Sequence, residues 1–465
     1  MRINGIVLAA GQGKRMKSKL YKVLHPVCGK PMVGHVVDLL DRLDCERRIV
    51  VVGHGADKVK DYLGSRTEFA LQEQQLGTGH AVLQAKEVLG AEEGLTFVLY
   101  GDTPLIKEES LQEMIRLAKE QSAAGVVLTA EVEIPFGLGR ILRDENGSLV
   151  GIVEEKDCTP EQAAIREINT GIYCFDNRKL FAALEQVTNQ NAQGEYYLTD
   201  VISILRQAGE TLAVYKTPDS TEGIGVNDRV ALSEAEAVMK ERINRKHMLN
   251  GVSIQDPSAT YIEADVVIGS DTRLLPGTIL RGATVIGEDC VIGPNTDITD
   301  SDIADGAEIK HSVLLEASVG RSATVGPFAY LRPGAKLGEK VKVGDFVEIK
   351  NATLGAGSKV SHLSYVGDAV VGKNVNMGCG SITVNYDGFN KHKTEIGDDA
   401  FVGSNVNLIA PVTIGKGAFV VAGSTITKNV EEDSLAVARE RQSNKAGYAA
   451  KLRARLKNRP KDEDE

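Results

Sequence analysis

The chain of 465 residues is poor in cysteine, and its six cysteines form no pattern. Cys28, Cys45, Cys158, Cys174, Cys290 and Cys379 are scattered, with no CxxC pair among them. That excludes a disulfide framework or a zinc ribbon and reads as free thiols in a reducing cytosol. No uninterrupted apolar run is long enough to cross a bilayer. The opening stretch MRINGIVLAAG is too short in its apolar part for a signal peptide and lacks a cleavage pattern. A cytoplasmic protein with no stable membrane association is therefore expected. Positive charge is also in deficit. With 54 Lys and Arg against 64 Asp and Glu, the net charge is −10, which argues against general nucleic-acid binding. Any anionic ligand has to be held by a local basic cluster. What is present is ordinary for a globular protein, with 42% apolar and 25% charged residues. The length suggests about three domains.

Two halves follow different rules. Up to about residue 229, strand-like runs alternate with helical ones. GIVLAAG, RRIVVVGHG, TEFALQ and LTFVLYGD read as strands; MVGHVVDLLDRL, ADKVKDYLG, GHAVLQAKEVLG and SLQEMIRLAKEQSA read as helical. Such alternation implies βαβ units and a mostly parallel sheet, whose ligands bind beyond the carboxyl ends of the strands. AAGQGKRM, QEQQLGTGHA and YGDTP all fall at those ends.

From about 252 to 430 the period is six. Val319, Val325, Leu331, Leu337, Val343 and Ile349 are one series; Ile396, Val402, Leu408, Ile414, Val420 and Ile426 are another. Four residues after each comes a small or β-branched residue, from Ala323 to Thr353 and from Ala400 to Val430. Helical periodicity cannot produce this, and a hexapeptide repeat marks a parallel β-helix. Glycines following the aliphatic positions, such as Gly320 and Gly338, are read as relieving crowding at corners. The register wobbles near DITDSDIADGAEIKHS and breaks at NYDGFNKHKT, where an insertion is expected to form a loop on one face. Between the halves RVALSEAEAVMKERINRKHMLNG reads as a charged connecting helix. The ending KLRARLKNRPKDEDE reads as frayed and solvated. The division expected is 1–229, a linker helix 230–250, and 251–465 with its charged tail.

In GQGKRMKSKLYK, Gly11 and Gly13 would let backbone N–H groups face an anion, beside Lys14, Arg15 and Lys22. The stretch is not a Walker A loop, and Met16 stands where a Rossmann fingerprint needs its third glycine. The plain alternative is a tight turn with a solvated basic face. Asp102 ends a strand and is either a cap or a ligand for Mg²⁺, which prefers hard oxygen donors beside phosphates. Asn227 in GVNDR is a candidate second oxygen ligand. Gln72, Gly77 and Thr78 suit recognition of a base edge, or else cap a helix. His362 in SHLSYVGDA interrupts the repeat and is either a solvated loop residue or a base.

LAAGQGKRM, KVLHPVCGKPM, LQEQQLGTGHA, YGDTPL, GIVEEKD, EINTGIY, GVNDR, LRPGA, EIKNA, SHLSYVGD, NMGCGSITVNYDG, KHKTEIGDDAFVGS and ARERQ together carry a resemblance over nearly the whole chain. It resembles the bacterial bifunctional family that fuses an N-acetylglucosamine-1-phosphate uridylyltransferase to a glucosamine-1-phosphate acetyltransferase. Tyr21 stands where the wider sugar nucleotidyltransferase family usually has proline, and Cys379 where alanine is common.

The resemblance implies a Rossmann-like α/β nucleotidyltransferase domain and a left-handed parallel β-helix of hexapeptide repeats. It also implies Mg²⁺, with UTP and acetyl-CoA as co-substrates, a homotrimer, and a product that supplies cell-wall precursors. Leu8, Ala9, Ala10 and Gly11 would line the uridine and phosphate site, and Arg15 and Lys22 would bind the triphosphate and its developing charge. Gln72, Gly77 and Thr78 would read uracil. Tyr100, Gly101, Gly139, Glu154 and Asn169 would hold sugar and ribose, and Asp102 and Asn227 the Mg²⁺. His362 would be the general base of acetyl transfer. Arg332, Lys350, Tyr365 and Asn376 would hold glucosamine-1-phosphate. Cys379, Asn385, Tyr386, Ser404, Ala422 and Arg439 would contact acetyl-CoA, in sites built between neighbouring chains. Two other readings stay open. One is a nucleotidyltransferase whose β-helix only oligomerises, which has no reason to keep Arg332, Lys350, His362 and Asn385. The other is a non-catalytic scaffold, which has no reason to keep Asp102 and the basic loop.

Overall fold

The apolar runs read as strands become β1 (Ile3–Ala9), β2 (Arg47–Val52), β3 (Glu68–Leu71) and β4 (Leu95–Tyr100). They are joined by β5 (Gly125–Glu131), β6 (Glu167–Asp176) and β7 (Leu212–Lys216). The computed structural model describes residues 1–53 and 56–458. His54 and Gly55, which end the RRIVVVGHG stretch, lie outside the described residues, as do 459–465 of the tail.

The sheet order is β7-β5-β6-β4-β1-β2-β3. β1 pairs in parallel with β2 and β4, and among these seven strands only β6 runs against its neighbours. Both faces are covered, which is why the central strands are apolar at nearly every position instead of alternating. One layer packs Val7, Val50, Phe97 and Leu99 against the helices Met32–Arg42 and Glu108–Glu120. The other packs Ile6, Ile49, Val51 and Val98 against Asn177–Leu184 and Asp200–Gln207. ADKVKDYLG forms the helix Ala56–Leu63, while GHAVLQAKEVLG is covered by two short helices, Thr78–Leu83 and Lys86–Leu89. From β1 the chain goes out to β2 and β3 and then returns to the other side of β1 as β4, so the carboxyl ends of β1 and β4 form the crevice where such sheets take ligands.

By contacts the chain falls into two units. The first is Met1–Asn250 with Tyr261–Val266 and Leu280–Gly282; the second holds Gly251–Thr260, Val267–Ile279 and Ala283–Glu465. The charged helix read as a connecting arm spans Arg229–Leu249. The Asp228 carboxylate caps it, accepting from Val230 N at 3.0 Å and Ala231 N at 2.9 Å. The helix is not free along its length, because Ala235 is buried with Val27, Met32, Leu105 and Val226 of the same unit.

The second unit is the left-handed parallel β-helix that the six-residue period predicts. Strands of successive coils stack in register, for example Thr324 on Lys342 on Lys359 on Asn376 on Phe401 on Phe419. The aliphatic series points inward, with Val319, Val325, Leu331, Leu337, Val343 and Ile349 all buried. The core is one side chain wide and each layer fills it, so a deletion there cannot be repacked from the side. Leu331 is 0% exposed; Leu331→Ala is expected to cost about 2–5 kcal/mol, read from the unfolding transition of the variant against the parent.

One reading of the repeat is corrected. Thr353 is exposed, not inward; Ala352 and Leu354 are the buried pair. Thr324 pairs with Lys342, 18 residues on, but Lys342 with Lys359 and Glu348 with Tyr365 are only 17 apart. The shorter coil turns at Asn351, which adopts a left-handed φ of 45°, and that one-residue loss flips the faces. The wobble near Asp297–Ile309 is present as shortened coils, Asp297 stacking on Val313 and Asp302 on Ser318, and Ile298, Ile303, Ala307 and Ile309 stay buried on them. Glycines such as Gly320 do relieve crowding, as read. A Cβ on Gly320 would lie 2.5 Å from the backbone of Gly338 in the next coil, so they permit close stacking of coils. The insertion at Tyr386–Lys391 does form a loop, closed by an antiparallel bridge between those two residues. The tail is solvated as expected. Instead of fraying it carries a helix, Tyr448–Lys457, with no buried residue, as its run of Ala, Leu, Lys and Arg favours.

Candidate active sites

β1 ends at Ala9 and gives way to the glycine loop. Gly13 has φ 62°, and a Cβ there would lie 2.5 Å from Lys22 Cβ. Only glycine lets the loop close over the stem of Lys22. Tyr21, the departure from proline, is buried and donates its hydroxyl to Ala9 O at 2.7 Å. Burial pushes its phenol up to about 12, so it remains a donor that fixes the end of β1. Lys22 Nζ pairs with the Asp102 carboxylate and donates to Asn227 Oδ1 at 2.7 Å. Asn227 reaches this place because Val226 N donates to Asp102 O at 2.9 Å.

Around them opens a cavity of ≈ 220 Å³. Leu8, Ala9, Ala10, Gly11, Lys22, Gln72, Gly77, Thr78, Tyr100 and Asp102 line it, as do Gln75 and Glu195, which sequence reasoning missed. Gln75 lies in the quoted amide-rich stretch and its side-chain amide donates to Ala10 O; Glu195 sits in no motif. Gln72 Nε2 donates to Gly77 O and faces His80 Nδ1, both at 3.1 Å, so it also shapes its own loop. Gly77 has φ 117°, and a Cβ there would meet Tyr196 O at 2.5 Å.

Gly101 N donates to Leu8 O at 2.9 Å, tying β4 to β1 beside the cavity. Asn169 N donates to Gly139 O at 2.9 Å, and Asn169 Nδ2 to Tyr173 OH at 2.7 Å. Burial raises the Tyr100 phenol, with the Glu154 carboxylate a second cause; burial raises Glu154 itself. Glu154 thus stands near Tyr100, and it, Gly139 and Asn169 lie outside the cavity lining. Arg15 is not brought in. It is exposed, lines no part of the cavity, and its side chain has no hydrogen bond or ion pair among the described residues.

The oxygen donors fit a hard cation. Asp102 and Asn227 already converge on one positive charge, the Lys22 ammonium. Among the described residues no group of three His, Cys, Asp or Glu side chains could hold a metal. A cation here would complete its shell with phosphate and water oxygens, as Mg²⁺ does.

On the β-helix the expected residues fall on two corners of the coil. The first corner stacks Asp345, His362, Cys379, Ser404 and Ala422 coil upon coil. Asp345 pairs with His362 in the ladder, Gly380 N donates to His362 O, Asn405 N to Cys379 O and Gly423 N to Ser404 O. A Cβ on Gly423 would lie 3.8 Å from Arg439 Cδ, so Arg439 belongs to this row. His362 Nδ1 meets Asp345 Oδ1 at 2.6 Å, and that bond holds the Asp345 carboxyl below its usual range.

The second corner and the face before it gather Arg332, Lys350, Tyr365 and Asn385. Arg332 pairs with Glu348 at 2.7 Å. Asn385 Nδ2 donates to Asp368 and, at 3.4 Å, to Tyr365 OH. The neighbouring Lys391 ammonium, on the inserted loop, lowers the pKa of Lys350. Two crowded ammonium groups are a site short of an anion. Tyr386 lies on the same loop, bridged to Lys391. Asn376 stacks on Lys359, on another face. Within one chain, then, Asn385 and Tyr386 stand apart from Cys379, Ser404, Ala422 and Arg439.

A family model for the MobA-like NTP transferase domain matches residues 5–198, and one for the bacterial transferase hexapeptide (six repeats) matches 265–300 and 393–428. The Bifunctional protein GlmU of Geobacillus sp. (strain WCH70) is 58% identical over 447 residues, covering 96% of this chain and 97% of that protein. The chain belongs to the GlmU family. GlmU proteins of Brevibacillus brevis and Listeria innocua are 57% and 54% identical over 97% and 96% of this chain, and over 98% of each relative. Its two halves are thus a nucleotidyltransferase and a hexapeptide transferase within one GlmU-family enzyme.

Proposed function

We propose that this GlmU-family chain acetylates glucosamine-1-phosphate on its β-helix and then joins the product to UMP in its N-terminal unit. The observation that carries the reading is that each unit has its own charged constellation: Lys22 with Asp102 and Asn227 at the strand ends, and Asp345–His362 with Lys350 and Lys391 on the coil.

In the first step the sugar amine attacks the thioester carbonyl of acetyl-CoA and coenzyme A leaves as the thiol. Nδ1–H of His362, donated to Asp345, leaves the Nε2 lone pair to take the amine proton. Arg332, Lys350 and Lys391 hold the sugar phosphate, with Tyr365 and Asn376; Cys379, Ser404, Ala422, Arg439, Asn385 and Tyr386 take acetyl-CoA. In the second step the phosphate of N-acetylglucosamine-1-phosphate attacks the α-phosphate of UTP in line, and pyrophosphate leaves. Such transfers need positioning and charge neutralisation more than a base. Gly11, Arg15 and Lys22 supply these for the phosphates, while Gln72, Gly77 and Thr78 hold the base. Tyr100, Glu154 and Asn169 hold the sugar. Mg²⁺ on Asp102 and Asn227 would neutralise phosphate charge. The product is a cell-wall precursor, made in the cytoplasm. Incubating the purified protein with glucosamine-1-phosphate, acetyl-CoA, UTP and Mg²⁺ tests the reading; absence of UDP-N-acetylglucosamine would refute it.

The protein acts as a homotrimer in this reading, because the acetyl-CoA residues stand on separate corners of one chain's coils, and Asn376 on another face from Tyr365, and two chains bring them together. Phe328, Phe346 and Leu363 support it. They are 56%, 59% and 58% exposed beside the Asp345–His362 corner, at left-handed φ values of 59°, 55° and 48°. The two rings stack at 5.4 Å. Bulky residues in that conformation cost about 1–3 kcal/mol each, and covering them with a second copy offsets the cost. Phe328→Asp with Phe346→Asp is expected to yield monomers by light scattering and to lose acetyl transfer while keeping uridylyl transfer. A trimer in the double variant would sink the assignment.

A further inference from the structure

The oxygen donors assigned to the metal already hold a cation of the chain's own. The Lys22 ammonium spans the Asp102 carboxylate and Asn227 Oδ1. The Lys22 and Asp102 side chains are only 12% and 16% exposed, so their pairing is weakly screened by salt. A divalent cation competes with the ammonium for those oxygens, because Asp102 Oδ2 and Asn227 Oδ1 are both engaged by it and the two positive charges repel across a few ångströms. Lys22 also lies under the glycine loop, its Cβ 2.5 Å from where a Gly13 Cβ would be. Its four-carbon stem has rotamers to spare. The ammonium can therefore leave the acid for an anion seated in that loop without any change of backbone.

We infer that Lys22 is a resident counter-ion that bars divalent cations from Asp102 and Asn227 until a polyphosphate in the glycine loop draws the ammonium away. Cation and nucleotide binding are thereby coupled through one side chain, and the free enzyme is guarded against taking up metal alone. This rests on the reading of Asp102 and Asn227 as metal ligands.

The test is a Mn²⁺ titration of the full-length protein without nucleotide, followed by electron paramagnetic resonance of free Mn²⁺. Lys22→Met and Lys22→Gln are expected to bind Mn²⁺ about tenfold more tightly than the parent, within the usual range of coupling between sites. Mn²⁺ should also raise their unfolding temperatures more than it raises the parent's. Affinity in both variants equal to or weaker than the parent's overturns the counter-ion role. Adding Asp102→Asn to Lys22→Met separates the two ideas. Loss of the gained affinity supports both, whereas unchanged Mn²⁺ binding in the double variant shows that Asp102 is not the ligand and removes the premise.

Discussion

His362→Ala is expected to cut acetyl transfer to glucosamine-1-phosphate by ~10²-fold or more, the usual contribution of a positioned general base. Uridylyl transfer from supplied N-acetylglucosamine-1-phosphate should stay near the parent rate. The separation follows from the chain's construction. His362 lies on a coil whose neighbours above and below are Asp345 and Cys379, and the cavity at the ends of β1 and β4 is lined wholly by residues from its own unit. Asp345→Asn is expected to fall in kcat with little change in KM for the sugar phosphate, because the amide no longer fixes the tautomer while Lys350 and Lys391 still hold the anion. Chromatography of both products from one sample reads the two activities together. If His362→Ala acetylates at the parent rate, the imidazole is a loop residue and its bond to Asp345 is only structural.

What was legible in the sequence is what depends on chain-local rules. The six-residue series around Leu331 could be read because a narrow core admits one side chain per face, and the strands around the glycine loop because buried parallel strands are apolar throughout. The slip at Thr353 could not, since it depends on Asn351 turning left-handed within a 17-residue coil, and asparagine alone does not announce that. Pairs that meet across coils were equally hidden. Asp345 reaches His362 and Lys391 reaches Lys350 only because the solenoid stacks distant residues, and nothing in the motif around either one signals the partner. Arg15 shows the reverse: its type fits a triphosphate site, yet it stands outside the cavity. Long surface cations are placed by their ligand more than by packing.

Asp102→Ala is expected to lower uridylyl transfer by about 10³-fold or more and to let N-acetylglucosamine-1-phosphate accumulate. The carboxylate sits where β4 ends, level with the glycine loop, and Val226 N fastens its backbone to the segment that carries Asn227. Removing it leaves a single amide oxygen for the cation. The loss of charge neutralisation on the phosphates falls on the transition state, where several kcal/mol are at stake and each 1.36 kcal/mol is a factor of ten. The same change releases the Lys22 ammonium from its only ion pair among the described residues, so the variant could fail by misplacing Lys22 and not by losing the metal. The two causes differ in what Mg²⁺ does. If the carboxylate is the ligand, raising Mg²⁺ should recover part of the rate by mass action; if its role is only to hold Lys22, the residual rate should be independent of Mg²⁺. Acetyl transfer in the same sample serves as the folding control and is expected to be unchanged. Mg²⁺-dependent release of pyrophosphate at the parent rate and the parent Mg²⁺ concentration would defeat the assignment of Asp102.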